Sequence, residues 1–222
     1  MLKIRLNLRN VAAIAACLAA TMLTSCGGGS GVGSEMKLTV QGNDKVMVAL
    51  DGYGTAAIDW GDGSTKKSYE LSGKEESYEW QYSQSSSRTI KIVGENITTL
   101  AFFPQAEQIQ LTNLDVSKNT ALKALVCIGN FTSLDVSKNT ALETLVCVGN
   151  LTNLDLSKNT QLTTLRVSNT QLNAAALNAL FGTLHSNTIQ GQTKHIILDG
   201  NLGQDSCDRS IAENKGWIFG WR

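Results

Sequence analysis

The chain has 222 residues, 42% of them hydrophobic and 17% charged, with 19 basic side chains balanced by 19 acidic ones. A neutral balance lacks the basic footprint that nucleic-acid binding requires, and the apolar content suffices for one core or two small ones. Two histidines, His185 and His195, stand at no metal-ligand spacing, which leaves metal and hydrolase chemistry little support and implies no cofactor.

Lys3, Arg5 and Arg9 open the chain, Val11 to Met22 is an apolar run, and Leu23-Thr24-Ser25 leads into Cys26. That order is a signal peptide over residues 1–25, and its apolar run is shorter than the ~20 residues a bilayer-spanning helix needs. Leu-Thr-Ser-Cys resembles the bacterial lipobox. The resemblance implies cleavage before Cys26, lipid on its thiol and new amino group, and a bacterial outer-membrane location in which only the lipid enters the membrane. Residues 26–35, rich in glycine and serine, read as a flexible tether. Loss of Lys3, Arg5 and Arg9 lowers the basic count from 19 to 16 against 19 acidic, a mildly acidic mature chain. No acidic residue precedes Glu35 in the tether, and the choice between cell surface and periplasmic face stays open.

Residues 36–95 are strand-like. Lys37 to Val40, Val46 to Leu50, Ala56 to Trp60 and Thr89 to Val93 alternate or run apolar between glycine, asparagine and serine breaks. Trp60-Gly61-Asp62-Gly63 reads as a strand end entering a tight turn, with Trp80 and Tyr82 further along. These residues resemble the PKD-like β-sandwich module, although the segment is short for a full sandwich, so it is expected to seal the first coil of a C-terminal solenoid. Asp59 and Asp62 offer a calcium or sugar site, but capping of their own turn is the favoured reading.

From residue 96 a twenty-residue repeat dominates. Leu114-Asp115-Val116-Ser117-Lys118-Asn119-Thr120 recurs at Leu134 to Thr140 and, with Leu156 for valine, at Leu154 to Thr160. Leu122-x-x-Leu125-x-Cys127-x-x-Asn130 recurs at Leu142 to Asn150. Such a period predicts a solenoid of stacked coils. Leucines fill its interior, and Asn119, Asn139 and Asn159, with Asn130 and Asn150, stack as ladders that donate to neighbouring carbonyls. This reading also outweighs glycosylation at the Asn96, Asn130 and Asn150 sequons. Cys127 and Cys147 share one rung position, where a packed thiol ladder is favoured over a disulfide, and Cys207 leaves an odd count. Asn173 is expected to cap a helix through Leu177, Leu180, Phe181 and Leu184, His195 to Leu198 to add a strand, and Asp205 to Lys215 with Trp217 to close the end. Asp199-Gly200-Asn201 with Asp205 lacks the glycine and glutamate of a calcium loop.

These repeats resemble the leucine-rich-repeat lipoproteins of Bacteroides-type bacteria. The fold expected is mostly β with minor α, a leucine-rich-repeat solenoid over 96–222 preceded by the small PKD-like sandwich or sheet cap. The resemblance implies an outer-membrane or surface interaction protein. One departure singles out a candidate site. Where the family's strand exposes polar residues beside its cysteine, this chain has Val126 and Ile128, then Val146 and Val148, with Ala101 and Phe103 one rung before and Arg166 and Ser168 one rung after. Alternation turns these outward, which predicts an exposed apolar patch suited to an unknown host or envelope protein. Aspartate at Val126 and Val146 is then expected to abolish capture and leave folding intact. The rows Asp115, Asp135, Asp155 and Lys118, Lys138, Lys158 read as a solvated face. Glycan binding around Trp80 and Tyr82, and a purely structural envelope spacer, are the competing functions; catalysis has no constellation to carry it.

Overall fold

The computed structural model describes residues 34–106 and 108–220. The expected signal peptide and Cys26 lie outside the described residues. The expected tether is corrected at its end, because Ser34 and Glu35 already belong to strand β1, Ser34–Gly42.

In β1, Met36, Leu38 and Val40 are buried while the residues between them are half-buried or exposed, the period of two that a strand imposes. The next strand, β2 (Lys45–Asp59), merges two segments that the sequence separates. It survives Gly52 and Gly54 by bulging, with register shifts at Asp51/Gly52 and between Tyr53 and Ala56. Gly52 is required there: its φ is +151°, and a Cβ would lie 2.0 Å from the Asn96 carbonyl oxygen. Along one edge β2 pairs first with β4 (Glu76–Gln81), then with β3 (Lys67–Ser72). Along the other it pairs with β5, Ser86–Pro104, from Val46 opposite Pro104 to Asp59 opposite Lys91.

β5 joins the two halves of the sequence. Its first part, Ser86–Gly94, runs antiparallel to β1, and its last part, Thr99–Phe102, runs parallel to β7 (Ala124–Ile128). The boundary expected at 95/96 therefore falls inside one strand. The chain returns through β6 (Ile109–Asp115) to the free edge of β1, then advances one parallel rung at a time. The rungs are β7, β8 (Thr144–Val148), β9 (Thr164–Ser168), β10 (Lys194–Ile197) and β11 (Trp217–Phe219). The twenty-residue period becomes register: Leu125 pairs with Leu145 and Leu145 with Leu165, and Cys127 pairs with Cys147.

The result is mostly β with minor helix, an open mixed sheet of eleven strands. One hydrophobic cluster runs from Met36, Ile58, Trp60 and Ile92 through Phe102 to the rung leucines and Trp217. Each fully buried leucine, such as Leu125, Leu145 or Leu165, contributes about 2 kcal/mol relative to exposure. Helix α1, Ala174–Thr183, forms as expected. Asn173 accepts from the Ala176 N–H at its start, and Leu177, Leu180 and Phe181 face the core. Where only a closing cap is expected, a short helix α2 (Ser210–Glu213) precedes the additional rung β11. No described helix is long and apolar enough to cross a membrane.

Candidate functional site

The sheet places the predicted strand-face residues where alternation says they belong. Ala101 pairs with Val126, Val126 with Val146 and Val146 with Arg166, while Ile128 pairs with Val148 and Val148 with Ser168. Phe103 comes directly after Phe102, which opposes Cys127. None of Ala101, Phe103, Val126, Ile128, Val146 or Val148 joins the core cluster that holds Leu100, Phe102, Leu125 and Cys127. They form a second apolar row on the other face.

Their expected exposure is corrected. Ala101 and Val126 are 0% exposed, Phe103 and Ile128 4%, Val146 5% and Val148 7%. Alternation fixes the face a side chain takes, not whether that face is open. In-register stacking, with rungs about 4.8 Å apart, also walls each branched side chain with its neighbours along the sheet. Nor do the last two candidates form a free polar edge. Ser168 is fully buried, and Arg166 donates from Nε to the Ser168 hydroxyl at 3.2 Å and lies 3.8 Å from the Asp199 carboxylate.

The repeated polar residues are structural. Asp115, Asp135 and Asp155 each accept the N–H two residues on, from Ser117, Ser137 and Ser157, at 3.0, 2.9 and 2.8 Å. Those serine bonds, through hydroxyl and backbone, hold all three carboxyls below the usual 3.8 despite some burial, helped by Lys118, Lys138 and Lys158. A carboxyl acidified on folding stabilises fully above its unfolded pKa and loses that contribution as pH falls through the folded value. In thermal melts, the parent should therefore exceed the Asp115→Asn/Asp135→Asn/Asp155→Asn triple variant at pH 7 and converge with it below pH about 3.8. These groups are mostly exposed, so screening keeps the gap under about 1 kcal/mol.

The turn residues of the N-terminal strand segment are engaged in the same way. Asp59 accepts the Gly61 N–H, and Asp62 accepts the Ser64 N–H at 3.0 Å and the Trp80 indole N–H at 2.8 Å. Tyr82, which the competing glycan reading would need exposed, is buried; its hydroxyl donates to the Trp60 carbonyl at 2.7 Å, and burial pushes its pKa up. Trp80 stacks nearly parallel on Trp60 at 5.6 Å, with the Lys67 ammonium 4.7 Å from its ring centre. Asn201 is a buried clasp, donating to the Val167 and Leu198 carbonyls and accepting from Thr170.

Among the described residues no three His, Cys, Asp or Glu side chains gather as a metal site. Each histidine meets a backbone carbonyl, His185 that of Leu162 at 2.7 Å and His195 that of Gly220 at 3.0 Å. Burial first, and the nearby Lys194 and Lys215 after it, lower the His185 pKa even though the Leu162 carbonyl favours its charged form. Lys194 escapes any sequence signal. It is 6% exposed, donates to the Asn187 and Lys215 carbonyls and lies 5.6 Å from the Trp217 ring centre, so it clamps the terminal loops. Beside it, Ile197, Asp199, Gln204, Arg209 and Phe219 line an open cavity of about 230 Å³ that presents no nucleophile with a base.

No family model, curated protein or solved structure matches this chain.

Proposed function

We propose that this chain is a lipid-anchored, non-catalytic protein of a bacterial cell envelope whose repeats form a leucine-rich-repeat solenoid and whose strand face binds another protein. One observation supports it above the others: Ala101, Val126 and Val146, and Ile128 with Val148, pair in register as an apolar row apart from the core cluster, with Phe103 next to Phe102 on β5. Folding explains the leucines, the cysteines and the buried asparagines of the repeat. It does not require a second apolar row, of valine and isoleucine, on the opposite face of the same strands, and such a row is the chemistry of a contact surface wherever that face is uncovered.

Site-specific photo-crosslinking in intact cells tests this. A photoreactive residue at position 146 or 148 should give one discrete protein adduct, and the same residue at position 138, in the exposed lysine row, should give none. No adduct from either face, or equal adducts from both, ends the proposal. A structural spacer is the second reading, and the burial of the strand face favours it. The exposed large hydrophobic residues among those described are only Tyr53, Val93 and Leu202. The spacer predicts no adduct at either face.

A further inference from the structure

The sulfurs of Cys127 and Cys147 lie 3.3 Å apart, and both residues are fully buried with free thiols. They are direct partners on the parallel rungs β7 and β8. Directly paired residues on neighbouring strands stand about 4.8 Å apart at Cα, inside the roughly 4.4–6.8 Å that a disulfide spans. The sulfurs need only close from 3.3 Å to about 2.05 Å. Cys207 does not compete, since its half-buried sulfur contacts the Gln204 carbonyl at 3.5 Å.

We propose that Cys127 and Cys147 form a two-electron redox site that closes into a rung-to-rung disulfide by exchange with a small-molecule or protein disulfide. One thiolate attacks a sulfur of the oxidant, expelling its first thiol and leaving a mixed disulfide. The second thiolate then attacks the protein sulfur of that mixed disulfide and expels the second thiol. The two cysteines lose two protons and two electrons, and the oxidant is reduced to two thiols. A mixed disulfide has no room at a fully buried rung position, so exchange proceeds through local opening of β7 from β8 and is slow in the native state. The same local opening exposes the closed bond to thiols, which makes the site reversible. This inference stands independently of any partner on the strand face.

Peptide mapping provides the test. The chain from Cys26 onward is treated with oxidised glutathione in native buffer and again in urea just below its unfolding midpoint. Free thiols are then alkylated and the protein is digested with trypsin without reduction. Cleavage after Lys123, Lys138 and Lys158 places Cys127 in peptide 124–138 and Cys147 in peptide 139–158. The expected product is these two peptides linked and separable by dithiothreitol, with the Cys207 peptide, 195–209, alkylated. Cys207→Ser should leave the link unchanged. Recovery of peptides 124–138 and 139–158 as separate alkylated species under both conditions, or links to Cys207 in equal yield, overturns the proposal.

Discussion

Asn139→Asp should be among the most damaging single changes in this protein, lowering stability by about 3–5 kcal/mol at neutral pH. Asn139 is 0% exposed, and both protons of its amide are engaged, with the Val116 carbonyl at 3.0 Å and the Asn119 carbonyl at 2.6 Å of the rung before. The Asn139 carbonyl in turn accepts the Asn159 amide at 2.9 Å, so the bonds pass from rung to rung. The side-chain oxygen of Asn139 has no hydrogen-bond partner in this structure. The stabilising role therefore belongs to the NH₂ group, and aspartate replaces it with an acceptor facing two acceptors. Burial would raise the pKa of the new carboxyl, so the penalty should shrink on acidification as a protonated acid regains one donor. Asn139→Ala leaves a small cavity and removes two bonds without adding charge, for a loss of about 2–4 kcal/mol. Urea unfolding of the three proteins at constant m-value measures both. A loss below about 0.5 kcal/mol for either variant would show that the ladder is decorative.

This ladder was legible in the sequence because a repeat displays its own structural logic. An asparagine that returns every twenty residues, in phase with leucines, has to solve the same local problem each time, and Asn119, Asn139 and Asn159 do. The other pair is less simple. Asn150 donates to the Asn130 side chain, not to a backbone carbonyl, and Asn130 is exposed. The Asn173 cap and the Asp62 turn were legible for another reason, since their hydrogen bonds reach only two or three residues along the chain.

What escaped the sequence depends on long-range pairing. β3 and β4 carry Lys67, Glu70, Glu76 and Glu79 with a single apolar face each, and they exist because β2 offers them an edge. Gly52 looks like a strand break, yet it is the residue that lets β2 bend and continue. The exchange of partners along β5, from β1 to β7, leaves no local mark, because Gly94 to Thr98 looks like a linker. β11 is three residues long and too short to declare a period. The candidate face divides along the same line: its phase came from alternation within one strand, whereas its solvation depends on what lies above the sheet.

Val126→Asp, made in the chain from Cys26 onward, is therefore expected to destabilise folding by about 3 kcal/mol or more, in place of the intact folding that an open patch would allow. Val126 is 0% exposed between Ala101 and Val146, so a carboxylate there has no water and no basic side chain on either adjoining rung of its row. Val126→Ala should cost less, about 1–2 kcal/mol, because it removes volume without adding charge. The order of these two variants matters more than either value. If alanine is the worse of the two, or if aspartate matches the parent in its urea midpoint, the face is solvated and the apolar row is free to meet a partner. If aspartate unfolds the protein, loss of adducts in that variant says nothing about binding. The contact must then be probed at Arg166, which is only half-buried and whose replacement by alanine leaves the valine row untouched. A strand-face partner predicts that Arg166→Ala weakens crosslinking from position 146 with the urea midpoint preserved, whereas a spacer predicts that the same change has nothing to weaken.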